Sequence, residues 1–128
     1  MAIPSAGGSE ILQRGWFPAL SNSEVYAVFT GAISSTSTSN AVPAHNIISM
    51  VSMTFNERAG SSSELIKLRV IFGGSSSTFV FAEQSIPAYG TFIWNEPLVL
   101  HATDKLVFGA NTAANIDVQF YFIRQDWS

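Results

Sequence analysis

Leu65-Ile66-Lys67-Leu68-Arg69-Val70-Ile71-Phe72 decides the fold. Successive side chains of an extended chain point to opposite faces, so Ile66, Leu68, Val70 and Phe72 share one side while Lys67 and Arg69 share the other. The even side is expected in a core and the charged side in water. The same period of two returns near the C-terminus, placing Ile116, Val118, Phe120 and Phe122 inward and Asp117, Gln119 and Tyr121 outward, with Ile123 on the outer face.

Working outward, the stretch Asn46 to Asn56 reads as a longer strand with apolar residues on both faces. Ile47, Val51, Met53 and Phe55 fall on one side, and Ile48, Met50, Ser52 and Thr54 on the other. Further strands are expected at Glu10 to Phe17, Val25 to Thr30, Thr78 to Ala82, Thr91 to Trp94, Leu98 to Leu100 and Lys105 to Phe108. About eight or nine short strands with no helical period predict an all-β, antiparallel two-sheet β-sandwich, jelly-roll-like, with a closed barrel as the alternative.

The connections carry turn chemistry. Ser85 to Gly90 holds Pro87, which cannot donate to a ladder, and Gly90, which tolerates positive φ, so the chain should reverse there. Asn95 to Pro97 marks a break and Ala102 to Asp104 a tight turn. The serine clusters Ser61 to Ser63 and Ser75 to Ser77 suit hairpin tips. Ser34 to Asn40 is a low-complexity polar tract, read as a long loop that either is solvated or reaches over a neighbouring subunit. A single domain over residues 1–128 is expected, with an extended N-terminal arm over about 1–9.

Composition narrows the function. The 128 residues suffice to bury roughly two thirds of the unfolded surface in one core. Charged residues make up 12% of the chain, against about 25% in typical domains, and only Glu10, Arg14 and Glu24 occur before position 57. Ser, Thr, Asn and Gly take their place, giving a polar surface that repels other protein surfaces weakly, as suits a protein that lives inside an assembly. The apolar residues left over in the early strands lead to the expectation that the first half faces neighbouring subunits and the second carries the core and the solvated face.

With a net charge of -3 and six scattered Lys and Arg, nucleic acid is not an expected partner. Cysteine is absent, which removes disulfides and thiolate metal sites. No apolar run approaches the roughly 20 residues of a membrane helix, so no membrane partner is expected. Met1 to Gly8 lacks a basic segment followed by an apolar one, and synthesis in the cytosol is expected.

No catalytic constellation stands out. His45 and His101 have no nucleophile or second ligand at a recognisable spacing, and Asp104 reads as a turn residue. Asn111, Asn115 and Asp117 offer too few carboxylates for a calcium loop. Glu57, Glu64, Glu83 and Glu96 form no evident pair for glycoside hydrolysis. No enzyme activity, cofactor or metal is expected. The aromatic residues are the richer resource: Trp16, Trp94 and Trp127 suit core or interface packing, and Tyr89 and Trp94 are the candidates for glycan stacking if the chain is a carbohydrate-binding module.

Three stretches carry a likeness. Met1 to Leu12, then Ile86-Pro87 to Gly90-Thr91-Phe92 followed by Leu98-Val99-Leu100 and Thr103 to Leu106, and finally Ala114 to Val118 with Gln125 to Ser128, together resemble small β-sandwich virion proteins of tailed bacteriophages. The resemblance implies a non-enzymatic role in the virion: a capsid decoration or cement protein, or a tail or fibre component. It also implies a homo-oligomer, with a trimer favoured, in contact with the major capsid protein or other virion proteins. Ile3, Pro4, Ile11, Trp16, Ile48, Met50, Tyr121, Ile123 and Trp127 are the candidate interface residues.

Overall fold

The computed structural model describes residues 9–20, 23–29, 40–73, 75–111 and 115–127. Residues 1–8 of the expected arm, Ile3 and Pro4 among them, and most of the Ser34 to Asn40 tract therefore lie outside the described residues, while Ser9 opens the first strand. Nine antiparallel strands form two sheets and, among the described residues, there is no helix. They are β1 (Ser9–Leu20), β2 (Val25–Tyr26), β3 (Asn46–Glu57), β4 (Glu64–Phe72), β5 (Ser76–Ile86), β6 (Thr91–Trp94), β7 (Leu98–His101), β8 (Lys105–Ala110) and β9 (Ile116–Asp126).

One sheet runs β1-β9-β3-β6, with β7 also paired to β3, and the other runs β2-β8-β4-β5. β6 and β7 pair with successive stretches of β3, Met53 to Asn56 and Ile47 to Met50, so the two short strands fill one position. Nine strands thus occupy the eight places of a jelly roll, with first and last strands as neighbours and long crossovers between sheets.

The inner faces meet in one apolar cluster that joins both sheets. Phenylalanine dominates it: Phe17 and Phe108 have ring centroids 5.6 Å apart, Phe108 and Phe120 5.4 Å, and Phe29 meets Phe122 edge-on at 5.1 Å. Offset and edge-on pairs add about 0.5–1.5 kcal/mol each beyond the burial of their area. Val118, Phe120 and Phe122 point inward as the alternation requires, and Ile66, Leu68 and Val70 do so on β4.

Four expectations change. Ile48 and Met50, expected on the outer face of β3, are buried in the core. The reason is a bulge: Met50 pairs with Phe122 and Ser52 with Tyr121, leaving Val51 as an extra residue that switches the parity. Before the bulge the even residues face in, and after it Met53 and Phe55 do. Val51 itself is exposed, while Ile47 is on the outer side but covered.

Phe72, expected in the core, is 41% exposed. The pairing of β4 with β8 ends at Ile71 and Lys105, so Phe72 has only β5 beside it where the chain turns, and its carbonyl accepts the Ser75 amide at 3.1 Å. The strand expected at Val25 to Thr30 keeps its ladder only at Val25–Tyr26, although Ala27 still donates to Leu106 at 2.9 Å and Phe29 is buried; Thr30 lies outside the described residues.

The fourth change concerns the two halves of the chain. β9 lies between β1 and β3, so early and late strands share one sheet. The compositional asymmetry does not divide the molecule into an early side and a late side.

Candidate interaction surface

The outward face of the five-stranded sheet is set by register. Leu12, Ile123, Ser49 and Val99 form one row across β1, β9, β3 and β7. Arg14, Tyr121 and Ser52 form the next, and Trp16, Gln119, Thr54 and Ile93 the one after. Strands about 4.8 Å apart with side chains alternating in and out make these rows one continuous surface. Leu12 is 69% and Ile93 60% exposed, and Trp16, Val51 and Val99 are exposed as well.

Apart from Arg14, charge on this face lies at its ends. Glu10 accepts from Gln125 at 3.0 Å at one end, and Asp117 meets Arg58 at 3.3 Å at the other. Within the three rows, Arg14 is the only charged side chain, and it makes no ion pair among the described residues. Beside it lies a shallow hollow of about 170 Å³ lined by Arg14, Gly15, Trp16, Gln119 and Tyr121. The Tyr121 hydroxyl donates to Gln119 Oε1 at 3.0 Å on its rim.

The opposite sheet is dressed differently. Glu24 receives both Arg69 Nε and Nη2 at 2.7 Å, with Lys67 at 3.9 Å, and the Lys105 ammonium lies 5.7 Å from the centre of the Tyr26 ring. The hydrogen bonds from Arg69 hold the Glu24 carboxyl below its ordinary value, partial burial working against them. A second hollow of about 370 Å³, beside the irregular pairing of β4 with β5, is lined by residues that include Leu65, Lys67, Phe79 and Glu83.

The sequence candidates fall in different places. Trp16, Tyr121 and Ile123 lie on the outward face of the five-stranded sheet. Ile11 belongs to the inner-face row of Arg124, Ile48 and Leu100, yet is exposed at the open end of the sandwich. Trp127 is exposed and packs edge-on against His45, ring centroids 5.4 Å apart, while its amide donates to the His45 carbonyl at 3.0 Å. Leu12, Arg14, Val51, Ile93 and Val99 are additions that the sequence reading passed over. For β1 the signal was present, since Leu12, Arg14 and Trp16 share a parity, but Ile11 and Phe17 on the other parity masked it.

The proposed glycan pair is not brought together. Trp94 lies in the inner-face row of Met53 and packs against the core, whereas Tyr89 projects from the β5–β6 turn over Gly60. That turn has its own carboxylate: buried Glu57 accepts the Gly60 amide at 2.7 Å, the Tyr89 amide at 3.0 Å and the Ala59 amide at 3.2 Å. The amide of Tyr89 first, then that of Gly60, lowers its pKa. Positive φ in this turn sits at Tyr89, 58°, and not at the expected Gly90, which is needed because a β-carbon there would press on the Pro87 ring at 2.6 Å.

Asp104 is a turn residue, but one that joins two turns: its carboxylate accepts the His101 amide at 2.8 Å and the Gly73 amide at 2.9 Å. Asn111 and Asp117, weighed as calcium donors, are engaged elsewhere, with the Leu65 amide at 2.9 Å and the Ala19 amide at 2.8 Å. Among the described residues no group of three His, Asp or Glu side chains is placed to hold a metal ion.

The class the fold and surface define is a jelly-roll β-sandwich with a charge-poor, apolar sheet face. No protein-family model and no curated protein matches the sequence. Among solved structures, the chain is similar to a protein of infectious bursal disease virus strain Gx, with TM-score 0.43 and 9% identity over 91% of this chain and 37% of that one. The capsid structure of Helicobacter pylori bacteriophage KHP30 gives TM-score 0.48 and 12% identity over 94% of each chain. The globular domain of zebrafish complement 1qA protein gives 0.49 and 10% identity, over 90% of this chain and 94% of that one.

Proposed function

We propose that this chain is a non-enzymatic structural protein of a tailed-phage virion. In this reading it is made in the host cytoplasm and added to the capsid as a homo-oligomer that decorates and cements the shell. The observation that supports it is the outward face of the five-stranded sheet, where Leu12, Ile93, Val51 and Val99 are exposed and the three central rows carry a single charge. A monomer gains nothing from keeping such a face in water. Contiguous exposed apolar surface with charge depleted from its centre is what protein contact surfaces present.

Adding the purified chain to particles assembled without it, followed by sedimentation, tests the reading. Saturable co-sedimentation, with raised particle resistance to heat, is expected, and sedimentation of the free chain should give an oligomer, a trimer being favoured. A chain that stays monomeric at high concentration and does not associate with such particles would refute it.

A further inference from the structure

Resting on that reading, we infer that the hollow between β1 and β9 is the anchoring point of the docking face, and that it receives a carboxylate-bearing segment of the neighbouring virion protein. Arg14, Trp16 and Tyr121 are the three residue types in which interface energy concentrates, and they stand together around one concavity. Their arrangement follows from register: Arg14 is paired with Tyr121 and Trp16 with Gln119, so the indole and the phenol are diagonal neighbours across two strands. Leu12 in the next row of β1, and Val51, Ile93 and Val99 on the strands beyond β9, extend the apolar face to one side of the hollow, able to exclude water once covered.

The chemistry of the occupant comes from charge and size. Arg14 is the only charge within the three rows, and its guanidinium offers a planar fork of donors that matches a carboxylate. Covering it without a counter-charge would leave an unpaired cation in a dry contact, so the partner must bring an acid there. At about 170 Å³ the hollow is well below the 300–1,000 Å³ usual for small-molecule sites, which suits one side chain from a docked segment. An aspartate or glutamate on an extended segment meets both conditions, its stem lying across the Trp16 ring and its carboxylate on Arg14.

Particles assembled without the chain serve as the probe, and four variants are compared by co-sedimentation at two salt concentrations. Arg14→Gln and Trp16→Ala should each weaken binding roughly 30-fold or more, the scale of an interface anchor, and Arg14→Gln should also flatten the salt dependence. Arg14→Lys, which keeps the charge without the fork, should fall between. Leu12→Ser reports on the face as a whole. If Leu12→Ser weakens binding while Arg14→Gln and Trp16→Ala do not, the face docks but the hollow does not anchor it, and the inference is overturned. If none of the variants weakens binding, the docking face itself is misassigned. Binding of an acidic oligosaccharide that depends on Trp16, with particle binding unchanged in Trp16→Ala, would likewise overturn it in favour of a glycan site. Circular dichroism of each variant distinguishes lost binding from lost fold.

Discussion

Gly15 of β1 stands opposite Phe120 of β9, and the space a β-carbon would occupy at position 15 is filled by the Phe120 ring. Phe120 is wholly buried at the junction of Phe17, Phe108, Phe29 and Phe122. Gly15→Ala should therefore destabilise the fold by about 1–3 kcal/mol, as overpacking does, because the ring has no free side to move into. Chemical denaturation of the two proteins checks this. Equal midpoints would show that the ring yields without cost.

The bulge at Val51 makes a prediction about deletions. Removing Val51 leaves Met50 opposite Phe122 and Ser52 opposite Tyr121 as immediate neighbours, which restores regular alternation with Ile48, Met50, Met53 and Phe55 all inward. Removing Thr54 instead moves either Met53 or Phe55 to the outer face and brings a polar residue, Ser52 or Asn56, inward, forfeiting about 1.5–3 kcal/mol for the apolar side chain alone. Thermal unfolding should therefore find the Val51 deletion folded and the Thr54 deletion severely destabilised. The reverse order would contradict the register.

Much of this was legible in the sequence and some was not, for definable reasons. β4 and β9 were readable because a polar residue intervenes between successive core residues, as Asp117 and Gln119 do between Ile116, Val118 and Phe120. β3 was not, because a bulge is fixed by the partner strand: nothing in Met50-Val51-Ser52 says which residue β9 leaves unpaired. β1 offers apolar residues on both parities, Ile11 and Phe17 against Leu12 and Trp16, and only its pairing with β9 selects the inward set. The hollow was illegible for the same reason, since Trp16 and Tyr121 are neighbours only through that register.

The bidentate pair of Glu24 and Arg69 ties the segment preceding β2 to β4 with two bonds of 2.7 Å, both partners mostly covered. Glu24→Gln should cost about 1–2 kcal/mol, allowing for the solvent that still reaches the pair. Urea unfolding at neutral pH measures it, and a loss below a few tenths of a kcal/mol would mean the pair is incidental.

Acid should act through Glu24 and Glu57. Both carboxyls have folded-state pKa values lowered from the ordinary 4.5, so their contribution is fully present above that value and is lost as pH falls below it towards the folded-state values. The melting temperature should hold from neutrality to about pH 5 and then decline. The double variant Glu24→Gln, Glu57→Gln should start lower at pH 7 and decline less below pH 4.5. Parallel curves for the two proteins would refute the assignment.

An electron cryomicroscopy reconstruction of the particle to which this chain is proposed to belong tests the central claim most directly, because it shows whether another subunit covers the sheet face of β1, β9 and β3. The account predicts that Leu12, Val99 and Ile93 lie within about 4 Å of another subunit, with a carboxylate of that subunit at Arg14. A chain whose five-stranded sheet faces open solvent, held to the particle by some other surface, would contradict it.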